Sequence, residues 1–215
     1  MANSKGLILT ERYQKALRYA FETHALQRRK GTAVPYVSHL MSVSSLVLED
    51  GGGETEAIAA LLHDAAEDCG GEPRLEDIRL RFGGPVADIV AACTDSLAAD
   101  PTRKDSWHQR KRAYLKHLNG ASREELRVSC ADKLHNARCI LTDLRTHGPK
   151  LWDRFLSGGG KTNEEIMGYY VALSEVFNRR LKGSFLPREL DGIVTTLSLE
   201  SEITPDTRWI ERSTA

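Results

Sequence analysis

The amino-acid sequence predicts an all-α protein with a single helical domain. Nearly every segment places its apolar residues at helical period, and polar caps and glycines mark where the helices begin and end. No alternation of apolar and polar residues is long enough to predict a sheet. A chain of 215 residues suits one domain with a sizeable core, so we expect residues 1–200 to form that domain and residues 201–215 a C-terminal tail.

The first two predicted helices flank a polar, basic loop. In the segment TERYQKALRYAFETHAL, Thr10 is the predicted N-cap, and one stripe of the helix extends as far as His24. The loop QRRKGTAVP follows. Ser38 is then the predicted N-cap of a second helix, which carries Val43 and Leu46 on its apolar face.

Glycines divide the next part of the chain into further helices. One helix is predicted from about Glu54 to Cys69, and the pair Gly70–Gly71 ends it. The segment RLEDIRLRFGG predicts a short helix that its own glycines terminate, and Pro85 fits the first turn of the helix that follows. The stretch from Asp95 to Asp105 is a predicted loop, and SWHQRKRAYLKHL predicts another helix.

Two capping boxes open the long helices of the second half. Ser122 with Glu125 opens a helix through VSCADKLHNARCILTDLRTH, which Gly148 ends. Thr162 with Glu165 opens a second helix, EEIMGYYVALSEVFNRRL. The final TPDTRWIERSTA is expected to be a loose tail or a contact in an oligomer.

Charge and hydropathy argue against several function classes. The chain has 30 basic and 30 acidic residues, so its formal net charge is zero and a general nucleic-acid binder is not expected. The mean hydropathy of −0.40 and the lack of a long apolar run predict no membrane partner. The start, MANSKGLILTERYQ, has too short an apolar stretch for a secretory signal. Four cysteines without a C-x-x-C pair favour a reducing, cytoplasmic location.

The segment IAALLHDAAED ends an apolar helix with four ionisable side chains. Residues four apart share a helix face, so His63 is expected beside Glu67, and Asp64 beside Asp68. Charged groups among apolar neighbours are costly unless something compensates them. We therefore predict that a metal ion binds at this cluster.

Two further segments offer ligands for the same ion. CADKLHNAR carries Asp132 and Asn136 at i,i+4 spacing, and PYVSHL places His39 near a helix start. Two imidazoles and two carboxylates suit Mn²⁺, Fe²⁺ or another octahedral ion better than a closed tetrahedral zinc site. Taken singly, each element has an ordinary explanation, such as a hydrogen-bonded core histidine or a solvated helix end. The metal hypothesis depends on their occurring together.

The order of these segments resembles that of a known family. The set H…HD…D resembles the HD-domain metal-dependent phosphohydrolases, a helical superfamily. The finer pattern of RRKGTAVPYVSHL, AALLHDAAED and ADKLHNAR is similar to the hydrolase domain of the Rel/SpoT alarmone enzymes, and most similar to the free-standing small alarmone hydrolases. The similarity covers about Thr10 to Leu144, and more loosely Leu151 to Phe177. It implies an HD-type helical bundle that hydrolyses alarmones and does not synthesise them.

The resemblance implies three groups of site residues: ligands of one Mn²⁺, an acidic pair that orients or deprotonates the attacking water, and contacts to the nucleotide. The implied metal ligands are His39, His63, Asp64 and Asp132. The implied acidic pair is Glu67 and Asp68. The implied substrate contacts are Arg29, Lys30 and Asn136.

The sequence departs from the family pattern at two places. The hydrophobic-basic run before the third metal aspartate is VSC here, at residues 128–130, and lacks a lysine. The loop from Asp95 to Asp105 also differs in length from that of the bifunctional enzymes. Four cations are candidates to replace the lost charge around a polyphosphate, although solvation of a helix surface explains them equally well: Arg103, Lys104, Arg110 and Lys111.

The implied reaction is hydrolysis of guanosine 3′,5′-bis(diphosphate), ppGpp or pppGpp, at the 3′-diphosphate, which gives GDP or GTP and pyrophosphate. The alternatives are another nucleotide substrate, namely an adenine alarmone, the 2′-phosphate of NADPH or a nucleoside monophosphate, and a nucleotide-binding module without turnover. The expected partner is a small-molecule nucleotide. Other divalent ions and a homo-oligomer are left open.

Overall fold

A computed structural model of the chain describes residues 7–94, 105–156 and 160–211. Its helices are α1 Glu11–Thr23, α2 Val37–Glu49, α3 Glu54–Leu62, α4 Ala65–Asp68, α5 Gly71–Phe82, α6 Gly84–Cys93, α7 Trp107–Leu118, α8 Arg123–His147, a 3₁₀ turn Gly148–Trp152, α9 Asp153–Leu156, α10 Asn163–Arg180, α11 Leu186–Ser201 and α12 Arg208–Glu211. Over these residues the only β-type pairing is an isolated bridge between Arg28 and Pro35. The predicted all-α class is therefore confirmed.

The core forms around α3 and α8, which pack against each other and against α2 and α6. The side chains of α3 from Ala57 to Leu62 have no solvent exposure, which explains why that stretch is almost wholly apolar. Helix α8 is covered on another side by α11, and α10 packs on α11. Burial of these helices on several sides fixes the positions of the polar residues that α2, α3 and α8 carry.

Most of the predicted helix ends are observed. Thr10 caps α1, because its side chain accepts a hydrogen bond from the Arg12 N–H. Both capping boxes form as predicted at the starts of α8 and α10. Helix α8 ends before Gly148, whose φ of +69° suits glycine. Pro85 lies in the first turn of α6.

Two predicted helix boundaries are wrong. Ser38 is not an N-cap but the second residue of α2, whose N-cap is Tyr36 and has no side-chain cap bond. The helix expected from Glu54 to Cys69 is interrupted at His63 and Asp64, so α3 and α4 are separate. The Ala60 carbonyl accepts a hydrogen bond from His63 Nδ1, at 2.8 Å, where a continuous helix would use it for the N–H of Asp64.

The segment after residue 200 lies against α7 and α10 as far as residue 211. Trp209 is buried, and its ring centroid lies 5.0 Å from that of Trp107. The Asp206 N–H donates to the Glu164 carbonyl at 2.8 Å, and Arg112 donates to the Trp209 carbonyl at 3.0 Å. The expected loose tail is thus packed in its described part.

Two further predictions concern the Asp95–Asp105 loop and membrane-spanning helices. The predicted Asp95–Asp105 loop, with Arg103 and Lys104, lies outside the described residues except for Asp105. Among the helices that are described, none combines the length and apolarity that crossing a membrane requires.

Candidate active site

Three parts of the fold bring the predicted metal ligands together. His39 lies in the first turn of α2, the pair His63–Asp64 forms the break between α3 and α4, and Asp132 lies in the middle of α8. The break matters because it lets two adjacent side chains face the same point. His39 and His63 are buried, with at most 1 % of each residue exposed to solvent.

The ligand atoms of these four residues crowd around one centre. His63 Nε2 lies 2.9 Å from Asp64 Oδ2, and His39 Nε2 lies 3.1 Å from Asp132 Oδ1. The two crossed distances, His39 to Asp64 and His63 to Asp132, are both 3.6 Å. Ligand atoms of His39, His63 and Asp64 all lie within 4.8 Å of one another, a spacing that a single metal ion can span.

The two imidazoles point their Nε2 atoms at this centre. Each Nε2 is buried, and within the described part of the chain it has no hydrogen-bond partner, despite the nearby carboxylates. Each Nδ1 is engaged on the other side of its ring: His63 Nδ1 contacts the Ala60 carbonyl, and His39 Nδ1 lies 2.8 Å from His135 Nδ1. Outer partners of this kind hold a ligand imidazole in place, and the carbonyl beside His63 requires a proton on its Nδ1. The His/Asp group therefore fits a divalent cation.

The charges of the centre reinforce one another. Burial lowers the pKa of His63, but the Asp64 and Asp132 carboxylates outweigh this effect and hold that pKa well above its ordinary value. Burial likewise raises the pKa of both carboxyls, yet His63 beside Asp64 and Lys133 beside Asp132 hold their pKa values well below the usual range. Both aspartates are therefore ionised, as ligands of a cation must be.

The acidic pair lies on α4, one turn beyond Asp64. Glu67 is half-buried. Asp68 accepts a hydrogen bond from Gln27 Nε2 at 2.7 Å. Burial, followed by the Asp64 charge, raises the pKa of Asp68, which makes its carboxylate a better proton acceptor.

A cavity of about 650 Å³ adjoins the centre, and Arg29, Lys30 and Asn136 all line it. Arg29 Nη2 donates to Asn136 Oδ1 at 2.7 Å, and Asn136 Nδ2 donates to Asp132 Oδ1 at 2.6 Å. A hydrogen-bonded chain thus runs from the basic loop between α1 and α2 to a ligand on α8. The three proposed nucleotide contacts therefore line one cavity beside the His/Asp centre.

Sequence reasoning assigned no role to several residues around this centre. Tyr36 donates to Asp64 Oδ2 at 2.7 Å, Lys133 donates to Asp132 Oδ2 at 2.6 Å, and His135 contacts His39. In the sequence, all three lie within three residues of a predicted ligand, in PYVSHL or ADKLHNAR, and this proximity could have indicated a role. Gln27 gave no such signal, because its partner Asp68 is 41 residues away.

Comparison with known proteins places the chain in a family. A family model described as "HD domain" matches residues 16–155. The chain belongs to the HD-domain family. It is 33 % identical over 196 residues to guanosine-3′,5′-bis(diphosphate) 3′-pyrophosphohydrolase MESH1 of Xenopus tropicalis, a match that covers 89 % of this chain and 94 % of the relative. The Drosophila melanogaster protein of the same name is 29 % identical, with 79 % of this chain and 94 % of the relative covered.

A solved structure supports the same relationship. It is described as a metazoan ortholog of SpoT that hydrolyzes ppGpp and plays a role in starvation responses. Its TM-score to this chain is 0.66 at 28 % sequence identity, over 90 % of this chain and 99 % of the other. These matches confirm the resemblance that the motifs indicated. They also confirm the predicted enzyme class: this HD-domain protein is a hydrolase.

Proposed function

We propose that the protein is a manganese-dependent hydrolase of guanosine 3′,5′-bis(diphosphate), with ppGpp and pppGpp as substrates and the 3′-diphosphate as the group removed. The products are GDP or GTP and pyrophosphate. One observation carries the proposal: a buried His/Asp centre, towards which two imidazole Nε2 atoms point, lies beside a cavity lined by Arg29, Lys30 and Asn136. The names of the MESH1 relatives support the same substrate.

Four residues would hold the metal: His39, His63, Asp64 and Asp132. When bound, a divalent cation lowers the pKa of a coordinated water and polarises a phosphoryl oxygen. Two imidazoles and two carboxylates fit Mn²⁺, and the crowding of ionised Asp64 and Asp132 supports a cation at their centre.

Glu67 and Asp68 would position the attacking water and accept its proton. The water oxygen forms a bond to the phosphorus attached to the 3′-oxygen, the bond between that phosphorus and the 3′-oxygen breaks, and a proton returns to the 3′-oxygen. A positioned acid–base group contributes about 10²- to 10⁴-fold to such a step. The location of the pair one turn after Asp64, and the raised pKa of Asp68, support this role.

Arg29, Lys30 and Asn136 would bind the phosphates and the nucleoside. Hydrogen bonds from charged donors to phosphate oxygens are the strong kind, and they also compensate the charge that develops as the bond breaks. The hydrogen bonds from Arg29 to Asn136 and from Asn136 to Asp132 would fix the positions of both side chains relative to the metal ligands. We further propose that the enzyme is cytoplasmic, where free nucleotides are present.

Product analysis on a panel of nucleotides tests the proposal. The purified protein is incubated with ppGpp, an adenine alarmone, NADPH and a deoxynucleoside monophosphate, with and without Mn²⁺. We expect GDP and pyrophosphate from ppGpp in the presence of Mn²⁺, and little product after chelation. Phosphate released from NADPH or from the monophosphate, with ppGpp intact, would show a different HD-family substrate. Tight binding of ppGpp without product would show a non-catalytic module.

A further inference from the structure

The carboxylate of Asp68 is held by contacts that reach it from a distant part of the chain. Helix α4 has only four residues, and Gly70 follows it at a φ of +136°. A single helical turn is intrinsically unstable, so α4 by itself fixes its side chains weakly. The contact that anchors Asp68 comes from Gln27, in the loop between α1 and α2.

The hydrogen bonds around Gln27 have one consistent direction. A carboxylate can only accept, so the Gln27 Nε2 group donates to Asp68 Oδ2 at 2.7 Å. The amide oxygen then points the other way, where His24 Nδ1 lies 2.6 Å from it. An amide oxygen also only accepts, so His24 carries its proton on Nδ1. The chain of donors therefore runs from His24 to Gln27 to Asp68.

His24 is itself fixed by burial and stacking. Only 3 % of the residue is exposed, and its ring stacks on Tyr36 with centroids 5.3 Å apart. The same Tyr36 donates its hydroxyl hydrogen to Asp64 Oδ2 at 2.7 Å. Two neighbouring side chains thus connect a proposed proton acceptor with a proposed metal ligand, because His24 reaches Asp68 through Gln27 and Tyr36 reaches Asp64 directly.

We infer that Gln27 is a positioning residue for Asp68, and that His24 is a positioning residue for Gln27. The His24 N–H fixes the orientation of the Gln27 amide, because a rotated amide would place its own NH₂ donors against this N–H and its oxygen against the Asp68 carboxylate. The fixed amide then holds Asp68 where it can accept the proton of the attacking water. The inference rests on the proposed function, because it takes the role of Asp68 from it.

A kinetic experiment separates positioning from a general effect on folding. Gln27→Met keeps the length of the side chain and removes the donor. We expect kcat on ppGpp to fall about 10- to 100-fold, the usual loss when an outer partner of a site is removed, while KM and manganese content stay unchanged. Gln14→Met is the matched control, because Gln14 is exposed on α1, and it should leave all three quantities unchanged.

Two substitutions at His24 provide a rescue test. His24→Leu removes the N–H that faces Gln27, so we expect it to lower kcat as Gln27→Met does. His24→Asn keeps an N–H near the position of Nδ1, so it should recover most of that loss. Equal losses in the two variants, a kcat for Gln27→Met within twofold of the Gln14→Met control, or an effect on KM alone would overturn the inference.

A second pair of measurements keeps this inference distinct from the proposed function. If Asp68→Asn retains full kcat, or if the unmodified protein hydrolyses none of the nucleotides, the proposed function fails. The hydrogen-bond chain can still be examined without turnover, by ¹⁵N NMR of the histidine ring and the glutamine amide. We expect a proton on His24 Nδ1 and a Gln27 side-chain amide whose hydrogens exchange slowly with solvent. In His24→Leu, the same hydrogens should exchange faster. A ring protonated at Nε2 alone would overturn the assigned chain.

Discussion

At the scale of single residues, the two histidine Nε2 atoms favour the proposed metal centre over a structural cluster of ion pairs. In a structural cluster, each imidazole N–H would donate to a carboxylate. Here His63 Nδ1 donates on the outer side to a backbone carbonyl, and His39 Nδ1 contacts His135. Both Nε2 atoms are buried and have no hydrogen-bond partner among the described residues, which costs free energy unless a cation binds there.

Asp64→Ala tests this interpretation through metal binding. Removing the carboxylate takes one oxygen ligand away and leaves His63 without its closest anion, so we expect both manganese binding and turnover to be lost. Manganese at about 100 times its Kd should raise the free energy of unfolding of the unmodified protein by about 2.7 kcal/mol, and that of the variant by almost nothing. Asp88→Ala is the control, because Asp88 is an exposed partner of Arg79. Full manganese occupancy in Asp64→Ala would contradict the proposed ligand set.

Glu67→Gln separates catalysis from metal binding. The substitution keeps the size of the side chain and removes its basicity, and Glu67 is not among the four proposed ligands. We expect manganese content and KM to be retained while kcat falls by at least about 10²-fold, the lower end of the usual contribution of an acid–base group. The two readouts are metal analysis of the purified variant and steady-state kinetics on ppGpp. An unchanged kcat would remove Glu67 from the mechanism.

The sequence was informative about residues whose role is local and less so about those that act across the chain. The ligand dyad and the Asp132–Asn136 pair depend on spacings of one to four residues, which a sequence displays directly. The pairing of Arg29 with Asn136 joins residues 107 apart, and no periodicity records it. For the same reason, Arg29 could be named only through the family resemblance.

At the scale of elements, the break between α3 and α4 shows why the continuous helix was a wrong prediction. Neither glycine nor proline lies between Glu54 and Cys69, and local propensity favours one helix. The break arises from His63, whose ring bonds to the Ala60 carbonyl. A side-chain hydrogen bond at the centre therefore overrides the local helix propensity at that position, as is usual at a functional site.

The docking of residues 203–211 on α10 depends on a glycine. A Cβ atom placed on Gly168 would lie 1.9 Å from the Asp206 carbonyl oxygen, so the close approach of the two backbones requires glycine. We expect Gly168→Ala to displace this segment, to lower the free energy of unfolding by about 1–3 kcal/mol and to expose Trp209. The measurements are thermal or urea unfolding and the emission wavelength of tryptophan.

A second glycine provides the control for that experiment. Gly192 lies on α11 and is exposed, and apart from its chain neighbours and the backbone of its own helix no described atom lies within 4 Å of an added Cβ. Gly192→Ala should therefore raise the free energy of unfolding by about 0.5–1 kcal/mol, because alanine is the better helix former. If Gly168→Ala were as stable as Gly192→Ala, the segment would not be docked as described.

At the scale of the whole molecule, one arginine joins parts of the fold that are distant in sequence. Arg127 on α8 donates from Nε to Asp50 Oδ2 at 2.9 Å, and it also donates to Glu56 at the start of α3. The other oxygen of Asp50 accepts from the Ser184 hydroxyl and the Phe185 N–H, between α10 and α11. These ion pairs are buried and five residues away along α8 from Asp132, so they hold the helix that carries this ligand.

Arg127→Met should therefore destabilise the protein far more than the loss of an ordinary ion pair. The variant keeps most of the apolar stem but leaves Asp50 and Glu56 buried without their cation, for which we expect a loss of about 3–5 kcal/mol in the free energy of unfolding. Arg145→Met, on the same helix, removes an exposed pair with Glu200 and should leave that free energy almost unchanged. Urea unfolding of both variants without manganese measures the difference. Equal stabilities of Arg127→Met and Arg145→Met would contradict the role given to Arg127. If Arg127→Met is destabilised as expected, adding Glu56→Gln should restore part of the loss, because one of the two buried carboxylates left without a cation is then neutral.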